Sequence, residues 1–176
     1  MSADVEAIQE QIEHNEGSDD QILSFILGGE EYGVDILRVQ EIKGWERTTT
    51  IPNAPDYVKG VINLRGAVVP VVDLRIRFGL KDITYDESTV VIILRATDAS
   101  SNTQKIIGVV VDGVSDVHAI DLGSLQASPE INGTIHTEYV KGLATVTEKM
   151  VIVLHVDELV SSGILSEIKK SLNIDE

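Results

Sequence analysis

Two stretches of this chain recur in the same order, and that repeat limits the fold more than any other feature, because self-similarity at a fixed offset reports duplicated structural units. Tyr32-Gly33-Val34-Asp35-Ile36-Leu37-Arg38-Val39-Gln40-Glu41-Ile42 aligns, at an offset of 75 residues, with Ile107-Gly108-Val109-Val110-Val111-Asp112-Gly113-Val114-Ser115-Asp116-Val117. Tyr57-Val58-Lys59-Gly60 recurs 82 residues later as Tyr139-Val140-Lys141-Gly142, and an apolar strand follows each copy. Between these landmarks the chain runs in short Val- and Ile-rich segments bounded by Gly, Pro, Asn and Asp, the pattern of strands joined by turns. Expected strands are 22–27, 31–35, 61–64, 67–74, 89–95, 106–112, 139–146 and 150–156, with Gly28-Gly29 and the polar stretch 98–104 as hairpin connections. The expected fold is all-β: two similar small barrels related by an internal pseudo-repeat. Barrel closure also hides the strand edges of so Val-rich a chain.

Helical signals are confined to short pieces: a turn or helix around 74–78, a second beginning at 157–160, and a C-terminal helix over 163–173 that would carry Ile164, Leu165, Ile168 and Leu172 on one face. The first twenty residues hold seven acids and no base. Residues 1–18 therefore read as an acidic flexible tail outside the fold. That segment has neither the charge nor the apolar stretch of a secretory leader.

With 176 residues the chain has room for one compact unit or two small subdomains sharing a core. The formal net charge is −15 and aromatic residues make up 4% of the chain, so phosphate backbones are repelled and bases have little to stack on. Nucleic acid is not an expected partner. The longest apolar runs fall far short of a membrane-spanning helix, so no direct membrane insertion is expected. No cysteine is present, which removes disulfides, thiol nucleophiles and thiolate metal sites and is compatible with the cytosol.

One arrangement could carry chemistry. His155-Val156-Asp157 places His155 and Asp157 on one face of a strand, as a metal pair or a base with its orienting carboxylate would require. No third ligand, nucleophile motif or phosphate-binding glycine loop accompanies them, so neither a cofactor nor a catalytic site is expected. Binding is the favoured class. Residues 59–81 hold five bases (Lys59, Arg65, Arg75, Arg77, Lys81) against the single acid Asp73, a positive stretch within an acidic chain that could orient a partner. Arg65 stands between two apolar strands, where a guanidinium needs acceptors for its five donors. Glu41 is the expected partner, with strong non-additivity on removing both.

The segments from Gly29 to Ile42, Pro52-Asn53-Ala54-Pro55, Tyr57 to Gly66 with its Asn63-Leu64-Arg65-Gly66, Val69 to Arg75, and Val111-Asp112-Gly113-Val114-Ser115-Asp116-Val117 together resemble the CheW family of bacterial chemotaxis coupling proteins. The resemblance spans about 21–160. It implies two SH3-like five-stranded barrels within a CheW-like domain at 19–164, the first centred on 22–80, the second on 88–146, with 150–156 as a closing strand. It further implies a non-enzymatic, cytoplasmic scaffold, recruited to membrane-associated receptor arrays, that couples the cytoplasmic tip of methyl-accepting chemoreceptors to the regulatory domain of the histidine kinase CheA. By the same resemblance Val39, Glu41, Val90 and Val117 match receptor-binding positions. Gly60 and Arg65 match positions where change disturbs coupling, by contact or through barrel geometry. Two alternatives stay open: an adaptor of a non-flagellar chemosensory array, and a small β-barrel enzyme using His155 and Asp157.

Overall fold

The computed structural model describes residues 5–13, 20–98, 102–121, 123, 125–127 and 139–161. In chain order these form α1 (Val5–Glu13), β1 (Gln21–Leu27), β2 (Glu30–Asp35), β3 (Val39–Gly44), β4 (Val58–Leu64), β5 (Ala67–Asp73), α2 (Leu74–Arg77), β6 (Val90–Asp98), β7 (Thr103–Val111), β8 (Gly113–Ala119), β9 (Val140–Val146), β10 (Lys149–Leu154) and α3 (Val156–Ser161). The strands make two five-stranded sheets, ordered β8-β1-β2-β10-β9 and β3-β6-β7-β5-β4.

The repeat is real, but its halves are exchanged. Each sheet has one parallel pair, β2 with β10 and β5 with β7. The β1–β2 hairpin completes the sheet of β8, β9 and β10, and the β6–β7 hairpin completes that of β3, β4 and β5. Barrels centred on 22–80 and 88–146 are therefore not the observed division. A sequence offset identifies equivalent elements without saying which copy each packs against.

The repeated residues mark equivalent close approaches. A Cβ on Gly33 would lie 2.9 Å from Ile22 Cδ1, and one on Gly108 would lie 2.9 Å from Val91 Cγ1. Each glycine sits on the strand paired in parallel, opposite Val153 and Val71 respectively. Closure also follows one rule in both units. The chain leaving β3 bends back so that Thr49 and Val61 exchange two hydrogen bonds of 2.9 Å, and Gln126 and Leu143 do the same beyond β8. Each pair joins the end of one edge strand to the opposite edge and so closes the barrel.

Strand periodicity explains why β6 reads as an unbroken apolar run. Val90, Ile92, Leu94 and Ala96 face a large core shared by both sheets, whereas Val91 and Ile93 face the interior of their own barrel with Ile62, Leu64, Val69, Val71 and Val110. The other barrel is filled by Ile22, Ala144, Val151 and Val153. A strand buried on both faces cannot alternate with polar residues. Each such side chain contributes about 1.5–3 kcal/mol by leaving water.

Gly28 and Gly29, at φ +59° and +84°, make the tight turn joining β1 and β2. The short helices at 74–77 and 156–161 stand where expected. The C-terminal helix over 163–173 lies outside the described residues. Two strands escaped the sequence pattern, β3 and β8, and a register shift interrupts the pairing of each with its neighbour. The β4–β5 and β9–β10 pairs also shift register and were legible; β3 and β8 differ in lacking an alternating buried set, burying only Val39 and Ile42 in the one and Gly113 and Val114 in the other. The expectation that residues 1–18 lie outside the fold fails for 5–13: Ile8 and Ile12 are buried, one helical turn apart, and join the shared core.

Candidate functional site

Strands β3 and β8 each stand at one end of their sheet's strand order, and α1 packs on both. A seam between the barrels is thus walled by β3 and β8 and roofed by a helix. Ile8 and Ile12 of the helix, Val39 and Ile42 of β3 and Val117 of β8 belong to one apolar cluster. The Gln9 side-chain carbonyl accepts the Ile42 N–H at 2.8 Å, satisfying an outward donor of the edge strand.

The six residues expected to act in binding or coupling fall into different settings. Val117 is half-buried at the edge of the cluster, and Glu41 of β3 keeps a partly open carboxylate. Val39 and Val90 are each 2% exposed and act as core in the free protein. A charge at Val39 would therefore damage folding before it could report on contact. Gly60 lies directly beneath the closing bridge, where an added Cβ would stand 2.0 Å from the Thr49 carbonyl oxygen.

Arg65 occupies the tight turn between β4 and β5, at φ +50°, rather than a position enclosed by the two strands. Its Nη2 donates to Glu41 Oε2, so the expected partner is the observed one. This hydrogen bond and the carboxylate charge hold the guanidinium above its ordinary pKa. The Arg65 side chain is 67% exposed, however, and water screens an ion pair of this kind. Double-mutant cycles with Arg65→Ala and Glu41→Ala should accordingly show weak coupling at low ionic strength and near-additivity in molar salt. A large, salt-independent coupling would contradict an exposed pair.

The positive stretch at 59–81 also resolves differently. Arg75 is buried, and its guanidinium donates to Asp73 Oδ1 at 3.0 Å, Asp73 Oδ2 at 2.9 Å, Asp112 Oδ1 at 2.9 Å and the Thr84 carbonyl at 2.7 Å. The other Asp112 oxygen accepts the Gly28 N–H at 2.8 Å. One guanidinium thereby links the helix after β5 to the β1–β2 turn of the other sheet. Burial alone would lower its pKa, but the hydrogen bonds and charges of Asp73 and Asp112 outweigh that and raise it. Arg77 packs over the rings of Tyr57 and Tyr139 and donates to the Tyr139 hydroxyl. These two bases hold the barrels together instead of orienting a partner. Sequence reasoning passed over Asp73 and Asp112; acids ending the buried β5 and following the buried β7 were the available signal.

Tyr85 covers this network. Its hydroxyl donates to Asp73 Oδ2 at 2.6 Å, and its ring lies 4.7 Å from the Arg75 guanidinium and 4.6 Å from the Trp45 ring. Burial, then the bond to Asp73, pushes its pKa up to about 12; burial, then Glu30, does the same for Tyr32. Both groups hold their proton more tightly when folded. Their contribution is complete below the ordinary tyrosine value of 10.0 and is lost as the pH rises from there to about 12. Urea unfolding at pH 9, 10, 11 and 12 should show that decline, and Tyr85→Phe should make it shallower. Parallel curves would remove Tyr85 from the account.

His155 and Asp157 are structural. The His155 Nδ1 accepts the Glu158 N–H at 3.3 Å at the start of α3. Asp157 takes a two-pronged ion pair from Arg38, at 3.0 and 2.9 Å, and accepts the Thr97 N–H at 2.8 Å. That arrangement ties α3 to β6 and to the turn before β3. Among the described residues no group of three or more His, Asp or Glu could hold a metal ion, and no helix is long and apolar enough to cross a membrane.

With this geometry in hand, comparison with known proteins is specific. The family model for the CheW-like domain matches residues 21–163. The chain is 46% identical over 142 residues to the chemotaxis protein CheW of Klebsiella aerogenes, covering 81% of this chain and 82% of that protein. It is 33% identical over 147 residues to a probable chemotaxis protein CheW of Rhizobium etli, covering 84% and 90%. The crystal structure of the scaffolding protein TtCheW from Thermoanaerobacter tengcongensis superposes with a TM-score of 0.70 at 34% identity, covering 80% of this chain and 92% of that one.

Proposed function

The chain belongs to the CheW-like family of non-enzymatic chemotaxis scaffolds, and from that premise we propose that it couples the cytoplasmic tip of methyl-accepting chemoreceptors to the histidine kinase CheA in the cytoplasm. The observation that carries the reading is the seam between β3 and β8, which already holds an amphipathic helix against an apolar floor. A receptor tip is a helical hairpin, and a helix lying in an apolar groove is a recurrent mode of recognition. In this reading Glu41 and Val117 meet the receptor, while Val39 and Val90 shape the wall from within. Gly60 maintains barrel closure, and Arg65 orients the Glu41 carboxylate. The regulatory domain of CheA packs against a barrel elsewhere, so that receptor and kinase bind at once and a bias in one reaches the other.

Reconstitution with a soluble receptor cytoplasmic fragment and CheA tests the proposal. Kinase autophosphorylation should respond to the receptor fragment only when this protein is present, and all three should co-sediment. Neither response nor co-sedimentation would overturn it. Substituting receptors and kinase from a pilus-controlling array into the same assay decides between flagellar and non-flagellar pathways.

A further inference from the structure

Helix α1 sits where the receptor helix is proposed to bind, and its apolar hold there is small. It has nine residues, and a helix that short is marginal in water without tertiary support. That support includes two buried isoleucines, the half-buried Val5 and the Gln9 side-chain carbonyl, which accepts the Ile42 N–H. Its outward residues Glu6, Glu10 and Glu13 are acidic, and no base stands in its last turn to complement the helix dipole. Only six residues separate Glu13 from Asp20, where the described fold resumes, so a released α1 stays tethered at high effective concentration.

Resting on the proposed receptor seat, we propose that α1 is a displaceable plug: it occupies the β3–β8 seam in the free protein, and a receptor helix must expel it to bind. Three features of the seam follow. Val39 and Ile42 belong to the cluster that α1 completes, so departure of the helix uncovers apolar floor. The Ile42 N–H, capped by Gln9, becomes free for a polar group of the incoming helix. A ligand of a partly closed site binds with apparent affinity reduced by the open fraction, so α1 sets a threshold below which weak or unclustered receptors are not engaged.

The test uses the full chain and a soluble chemoreceptor cytoplasmic fragment as the probe. Because the protein has no cysteine, Glu10→Cys gives a single exposed position for a spin label. Adding the receptor fragment should convert an immobilised spectrum to a mobile one. Ile8→Asp/Ile12→Asp should bind the fragment about tenfold more tightly than the parent, as expected for a site otherwise open roughly one-tenth of the time. Gln9→Ala, which leaves the apolar contacts in place, should give a smaller gain and covers the case in which the double variant misfolds. Saturable binding with an unchanged label spectrum and equal affinities in all variants would overturn the plug and leave the receptor reading standing. Failure of parent and variants alike to bind would overturn the receptor reading, and the plug with it.

Discussion

Arg75→Ala is expected to lower the free energy of unfolding by about 3–5 kcal/mol, the cost of leaving a buried carboxylate without its partner. For a chain of this size that corresponds to a fall of roughly 10 °C in melting temperature. Asp73 is 0% exposed, and the guanidinium occupies both of its oxygens. Truncation leaves that charge with the Tyr85 hydroxyl and the Arg75 backbone N–H, which donates to Asp73 Oδ1 at 2.9 Å. Neither supplies a compensating charge. Asp112→Ala should cost less, because its carboxylate is 36% exposed and the guanidinium keeps Asp73. Asp73→Asn/Arg75→Met should be more stable than Arg75→Ala alone, since it removes the charge along with its partner. Urea denaturation of the four proteins decides the matter. A loss below about 1 kcal/mol in Arg75→Ala would mean that water reaches Asp73 and that the network is not what joins the two sheets.

The same network marks where sequence reasoning stops. Periodicity and turn residues made the strands legible because both are local: the Gly28-Gly29 turn and the apolar runs 90–94 and 106–111 carry their own geometry. The repeat was legible because glycines 33 and 108 meet equivalent obstacles on equivalent strands. What the chain did not disclose was partnership across long separations. Arg75 counted as a surface base because its acceptor Asp112 lies 37 positions away, and Asp157 suggested chemistry because Arg38 lies 119 positions away. Glu41, in the first copy of the repeat, was assigned to Arg65 although its own strand, β3, escaped the pattern. Exchange of the two hairpins was hidden for a related reason, since equivalent hairpins can complete either sheet without any change in local pattern. At the proposed receptor seat, exposure was not readable from the sequence: Val39, Glu41, Val90 and Val117 lie in strands, but burial depends on what packs over them. For the β3 edge that includes a helix-bearing segment whose acidity resembled a tail.

Gly60→Ala should cost about 3 kcal/mol or more and should abolish coupling by opening the barrel that contains β3 to β7. Two constraints coincide at this residue. Its φ of +137° lies where side-chain-bearing residues rarely go, and the new Cβ would stand 2.0 Å from the Thr49 oxygen and 2.7 Å from the Thr49 carbonyl carbon. The obstacle is backbone, so no rotamer change relieves it. Relief requires Thr49 to move away from Val61, which breaks both hydrogen bonds closing the sheet. Gly142→Ala tests the same device in the other barrel, where the Cβ would approach Leu125 Cβ to 2.6 Å and the Gln126 oxygen to 2.9 Å. It should be milder, because Gly142 does not have a positive φ. Gly44→Ala, with nothing within 4 Å, is the control and should shift stability by less than about 0.5 kcal/mol. Amide exchange adds position to magnitude: in Gly60→Ala the Thr49 and Val61 amides should lose protection before those of β6 and β7. A Gly60→Ala protein with full stability and protected Thr49 and Val61 amides, yet no kinase coupling, would refute the barrel-closure role and make Gly60 a direct contact.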